Sequence, residues 1–188
     1  MTTPRLQKLL LTLLAVCCFS ATTASAQGKP LKVFILAGQS NMEGHAAIST
    51  FDYIGKDPLT APILKEMRNH DGTPRVCDKV WMSYLTGPYD GSANGEGLGK
   101  LTAGFGERGD QPTKDGGKIG PEFTFGIFME KELREPILII KTAWGGKSLY
   151  KDFRPPSSGG EVGPYYKKMI AEVREALTNL KADFPAYA

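Results

Sequence analysis

Three small groups of residues in this sequence have the types and spacing that chemistry needs. The first is Gly38-Gln39-Ser40-Asn41-Met42, directly after an apolar run that ends at Ala37. A serine at the carboxyl end of a buried parallel strand lies where open α/β sheets hold their ligands. If a helical turn begins there, the Ser40 N–H faces outward and can stabilise negative charge developing on an attacked carbonyl, with Ser40 Oγ as the nucleophile. The same serine equally suits a plain helix cap. The nucleophile elbow Gly-x-Ser-x-Gly is not met, because Met42 fills its last position. The second group is Gly145-Gly146, just past another apolar run, where a missing Cβ lets backbone approach a reacting atom or simply makes a tight turn. The third is His45, His70 and Cys77. With no CxxC or HExxH pair to set ligand spacing, these three make a poor zinc site, and no metal is expected.

Two strands must position the first two groups. Lys32 to Ala37 reads Lys-Val-Phe-Ile-Leu-Ala, and Pro136 to Lys141 reads Pro-Ile-Leu-Ile-Ile-Lys. Both are short continuous apolar runs of the kind buried on two faces of a parallel sheet. Gly120-Pro121-Glu122 starts a helical pattern, with proline in the first turn and Glu122 at the positive end of the helix dipole. Glu135-Pro136 closes that region. Gly163-Pro164 opens another helix, on which Tyr166, Met169, Ile170, Val173, Leu177 and Leu180 form one apolar stripe expected to cover a face of the sheet. Between the strands, Gly87 to Gly120 has 11 glycines in 34 residues and reads as a long irregular excursion. Trp81, Tyr84 and Tyr89 at its entry suit either core packing or a sugar face.

The chain has 188 residues, 41% hydrophobic and 10% aromatic, with 23 Lys plus Arg against 20 Asp plus Glu, as expected of one globular domain. Its pI near 8.7 reflects a surplus of three charges that no basic run concentrates, so nucleic acid is not an expected partner. Residues 1–26 differ in composition: Arg5 and Lys8 precede the apolar run Leu9 to Phe19, and small residues lead to Ala24-Ser25-Ala26. This pattern is a secretory signal peptide cleaved near Ala26, and the run is too short for a stable membrane anchor. The residues before Cys17 and Cys18 are not the small ones that lipoprotein processing prefers. The mature domain, residues 27–188, is then periplasmic or extracellular, almost neutral, and left with Cys77 alone, a small buried hydrophobe rather than half of a disulfide.

Phe34-Ile-Leu-Ala-Gly-Gln-Ser40-Asn-Met42 resembles the first block of the SGNH, or GDSL-like, hydrolases. The likeness is to their sialate O-acetylesterase-like branch, which includes carbohydrate esterase family six. Gly120-Pro-Glu122 and Lys141-Thr-Ala-Trp-Gly-Gly-Lys-Ser-Leu149 agree in order, although Lys147 stands where that branch has threonine. The match spans roughly residues 31 to 150.

The resemblance implies a three-layer α/β fold of flavodoxin-like type, with parallel strands and helices on both faces. It implies a secreted serine esterase that removes O-acetyl groups from carbohydrates, with an O-acetylated sugar as partner and no cofactor. Carried over by position, Ser40 attacks the ester, Ser40 N–H and a backbone N–H of Gly145 or Gly146 form the oxyanion hole, and Gln39, Asn41 and Trp144 contact substrate. The branch's later Gln-Gly-Glu-like block and Asp-x-x-His base motif do not occur in this sequence. The sequence is therefore expected to be the amino-terminal portion of a longer esterase, inactive alone. His45 is expected on the first helix and His70 in a turn, neither well placed as a base. The alternative is a secreted protein that holds a glycan on Trp81, Trp144 and Tyr150 without cleaving it.

Overall fold

The computed structural model describes residues 29–85, 97–106 and 117–185. The proposed signal peptide and Tyr89 lie outside the described residues. The chain is a mixed α/β protein built on a mostly parallel sheet. Strands β1 (Lys32–Gly38), β3 (Val80–Tyr84), β4 (Gly97–Lys100) and β6 (Ile137–Ala143) form it in the order β1-β6-β3-β4. Both β1 and β3 run parallel to β6, and β4 is antiparallel to β3. A second, two-stranded antiparallel sheet joins β2 (Ala46–Ala47) to β5 (Lys118–Ile119). The glycine-rich excursion is thus partly regular, since it contributes β4 and β5. Glycine masks the period-two signal by which strands are recognised, which is why neither was expected.

The helices are α1 (Ser40–Glu43), α2 (Thr50–Ile54), α3 (Ala61–Met67), α4 (Pro121–Leu133), α5 (Pro164–Thr178) and α6 (Leu180–Asp183). Both longer helices start with proline after a glycine cap, as the sequence predicts. Register sorts the sheet residues by face. Phe34, Leu36, Ile137, Ile139, Val80 and Met82 face α4 and make the main core with Phe51, Phe123 and Ile127. Leu138 and Ile140 face the other way, against Ala176 of α5 and Phe184. Both sheet faces therefore carry helices.

Two expectations about burial need correction. Strand β6 is buried along its whole length, but β1 is not: Val33 is 39% and Ile35 50% exposed. Among the described residues β1 has a neighbour on one side only, so its α5-facing side chains are half covered. On α5 the fully buried positions are Glu172 and Ala176, whereas Leu177 of the expected stripe is 45% exposed. Of that stripe, Val173 and Leu180 pack on the cluster of Leu138 and Ile140.

Candidate active site

The parallel pairing of β1 with β6 places Gly38 opposite Ala143, so the two chains leave the sheet side by side at its carboxyl end. Trp144 N–H still donates to Gly38 O (3.2 Å), carrying the pairing one residue further. Ser40 lies two residues beyond β1, and Gly145 lies two residues beyond β6. Gln39, Ser40 and Asn41 are exposed. Gln39, and not Ser40, takes the cap position of α1, and no side chain caps that helix. Ser40 Oγ makes no hydrogen bond among the described residues. Of the two readings of this serine, a cap and an available hydroxyl, the geometry leaves the second.

The short helix α1 ends at Glu43 because Gly44 follows with φ of +102°. Only glycine fits there: a Cβ would sit 2.5 Å from Gly120 Cα. This close approach brings the start of α4 against the end of α1. His45, expected on the first helix, instead lies past this break with φ of +93°, an uncommon conformation for a residue with a side chain. Its Nε2 is 3.4 Å from Glu43 Oε2. His70 occupies a turn in the loop that leads into β3, at the amino ends of the parallel strands and thus opposite Ser40. An open groove of about 820 Å³ at that far end is lined by Lys65, Arg68, His70 and Arg75. Its arginines already bond carboxylates, Arg68 to Asp52 and Arg75 to Glu66 and Glu130.

Beneath Ser40 lies a buried polar cluster that sequence reading missed. Lys141 Nζ, fully buried, donates to Glu122 Oε2 (2.6 Å), Glu43 O (2.7 Å) and Phe105 O (2.7 Å), and sits 4.4 Å from the centre of the Tyr84 ring. Glu122 is buried too, and its Oε1 accepts from Gly120 N–H (2.8 Å). Its first-turn position on α4 thus serves an ion pair rather than a solvated helix end. Burial pushes the Glu122 carboxyl up and the Lys141 ammonium down, and each is countered by the charge of the other. Glu43 is 1% exposed, and its Oε1 accepts from Gly145 N–H at 2.8 Å. A lysine inside a continuous apolar strand was the one sequence signal for this cluster.

The expected oxyanion residues therefore divide. Gly145 N–H is directed at Glu43, while Gly146, exposed with φ of +72°, has nothing within 4 Å of the place a Cβ would take. Its backbone borders open space. Trp144 departs from the expectation of a substrate contact: it is 3% exposed, packed on Phe153 and Tyr165, with Lys168 Nζ over its ring at 5.1 Å. Following the buried face of β6, it is turned into the α5 side. Tyr150 is 80% exposed, with the Arg154 guanidinium over its ring. Cys77 is a fully buried free thiol, and burial raises its pKa to about 12. Among the described residues, no group of three His, Cys, Asp or Glu could hold a metal ion, and no helix is long and apolar enough to cross a membrane.

No family model and no curated protein matches the sequence. Among solved structures, the chain is similar to the X-ray structure of a protein from Arabidopsis thaliana, with 18% identity and a TM-score of 0.44. The alignment covers 77% of this chain and 50% of that one, so the chain spans about half the length of the plant protein.

Proposed function

We propose that this protein is an exported serine esterase of the SGNH type, acting on O-acetyl groups of carbohydrates, with a flavodoxin-like layering of its α/β fold. The observation that carries the reading is the pairing of an exposed, unbonded Ser40 with the Gly145-Gly146 turn, side by side past two strands in register at Gly38 and Ala143. In this reading Ser40 Oγ attacks the acetyl carbonyl, and Ser40 N–H and Gly146 N–H face the oxyanion that forms. Collapse of the tetrahedral intermediate breaks the ester C–O bond. The sugar hydroxyl leaves with a proton, and water then releases acetate from Ser40. An Asp-His pair from a further segment supplies the base. The signal sequence directs the protein to the periplasm or outside the cell.

The glycan-binding alternative loses support from the positions of its aromatic residues. Trp144 is buried, and Trp81 is packed toward the Leu138 and Ile140 core, which leaves Tyr150 as the exposed one of the three. The deciding experiment is release of acetate from O-acetylated oligosaccharides, beside turnover of a chromogenic acetyl ester, by the protein together with the segment that carries the Asp-His pair, as wild type and as Ser40→Ala. Turnover abolished by Ser40→Ala is the expected result. Turnover that survives the substitution refutes the reading, and silence in both with saturable glycan binding favours the alternative.

A further inference from the structure

We infer that Glu43 is a positioning residue, which presets the Gly145-Gly146 turn relative to Ser40 through its side chain; the inference rests on the esterase reading. A carboxylate buried to 1% exposure is costly unless hydrogen bonds replace its water. Here Oε1 takes the Gly145 N–H at 2.8 Å and Oε2 lies 3.4 Å from His45 Nε2. The residue is held at its main chain as well, because its carbonyl accepts from buried Lys141. Glu43 closes the helix that begins with Ser40, so one residue links the nucleophile's turn to the donor's turn across 102 positions of sequence.

The consequence for the chemistry follows from the peptide geometry. Fixing the Gly145 N–H fixes the plane of the peptide before it, and Gly146 N–H sits one Cα further on. Glycine has the widest backbone freedom of any residue, so a glycine pair without such a tie samples many orientations of that second N–H. Donors of this kind act only when aimed at the place where the oxyanion forms. Glu43 fixes the peptide that leads into Gly145 and so leaves the φ and ψ of Gly145 as the torsions that aim the Gly146 N–H, while the absence of both Cβ atoms keeps the approach open.

The test uses the protein together with the segment that carries the Asp-His pair, and para-nitrophenyl acetate as substrate, whose leaving group departs without help from a general acid. Ser40→Ala, Glu43→Ala, Glu43→Gln and Glu43→Asp are compared. Glu43→Ala is expected to lower kcat about 100-fold with KM unchanged, the size seen when a reacting geometry shifts by about an ångström. Glu43→Gln keeps an oxygen that accepts from Gly145 N–H and is expected to stay within about fivefold of wild type. A residue needed only for folding would instead change the fraction of active protein and leave the kcat of that fraction unmoved. If Glu43→Ala does not fold, Glu43→Asp, one methylene shorter, is expected to lose about tenfold in kcat. Unchanged kcat in the variant that folds, with turnover abolished by Ser40→Ala, refutes the positioning role alone. Turnover indifferent to Ser40→Ala, or absent from the wild type with the Asp-His segment present, refutes the esterase reading and this inference with it.

Discussion

The buried Lys141 ammonium sets how much the framework under Ser40 depends on one side chain, and Lys141→Met measures it. Lysine and methionine have similar length, so the substitution removes the charge and three donors without opening a large void. It leaves the buried Glu122 carboxylate without its cation, and strands the carbonyls of Glu43 and Phe105 that Nζ reached at 2.7 Å. Removing one partner of a buried pair typically costs about 3–5 kcal/mol, because the other charge stays behind. For a chain of this length each kcal/mol corresponds to about 2–4 °C, so the melting midpoint should fall by roughly 6–20 °C. The double variant Lys141→Met with Glu122→Gln removes both charges and keeps an acceptor for Gly120 N–H. It should recover more than half of the loss. Urea denaturation followed by tryptophan fluorescence, with Trp81 and Trp144 as reporters, gives the free energies. A single variant within about 1 kcal/mol of wild type, or a double variant no more stable than the single, would refute the claim that charge pairing holds this cluster.

Three further outcomes test other parts of the structure. Native protein at about pH 8 should leave Cys77 unmodified by iodoacetamide, with labelling only after denaturation, since its thiol is buried and shifted to about 12; rapid native labelling mapped to Cys77 would contradict this. Glu172 is raised from its ordinary 4.5 to about 8, chiefly by burial, with Lys168 opposing and Glu175 reinforcing the shift. The folded state then keeps a proton that the unfolded chain releases, so this site's contribution is complete below about pH 4.5 and is lost as pH rises toward 8. Melts across that window should show Glu172→Gln gaining on wild type as pH rises, and a difference independent of pH would be the wrong result. Ile140→Ala should cost about 2–5 kcal/mol, and Ile35→Ala, its register partner on β1, less than about 1 kcal/mol. Their exposures are 1% and 50%, and equal losses would mean that β1 is covered.

The strands and helices legible in the sequence are those with a single dominant local cause. Strand β6 is apolar from Ile137 to Ile140 because neighbours and helices cover it on every side, and α4 and α5 announce themselves by proline after glycine. Ser40 and Gly145-Gly146 could be picked out because their place after a strand is a local fact. Glu43 could not. An acid next to Gly44 in a short polar stretch reads as solvated, and its burial follows from partners at Lys141 and Gly145, 98 and 102 positions away. The exposure of β1 was hidden for the converse reason, since an apolar run records what its residues can tolerate and not which neighbours they have. Trp144 likewise followed the alternation of β6 into the α5 side, where sequence offered no way to choose between a sugar and Phe153.

The two faces of the sheet differ at the carboxyl end where Ser40 stands, and the difference says which one governs the site. On the α4 face, Lys141, Glu122 and Glu43 bond one another or the main chain at 2.6–2.8 Å: Lys141 ties α1 and α4 to β6, and Glu43 ties α1 to the Gly145 turn. On the α5 face, Thr142 Oγ1, Trp144 Nε1 and Glu172 Oε2 are buried without a hydrogen-bond partner. Such atoms give no directional restraint, and that side is ordered by the packing of Phe153 and Tyr165 on Trp144, by Lys168 over the same ring and by the apolar contacts of Leu138 and Ile140. Under the proposed esterase reading, placement of Ser40 as nucleophile and Gly146 N–H as donor needs directional bonds, which apolar contact does not supply. Substitutions on the α5 face should therefore change stability while leaving the geometry of Ser40 and Gly146 intact. Substitutions at Glu43 should instead shift that geometry, because the carboxylate is the direct hydrogen-bonded link between the turn that carries Ser40 and the turn that carries Gly146.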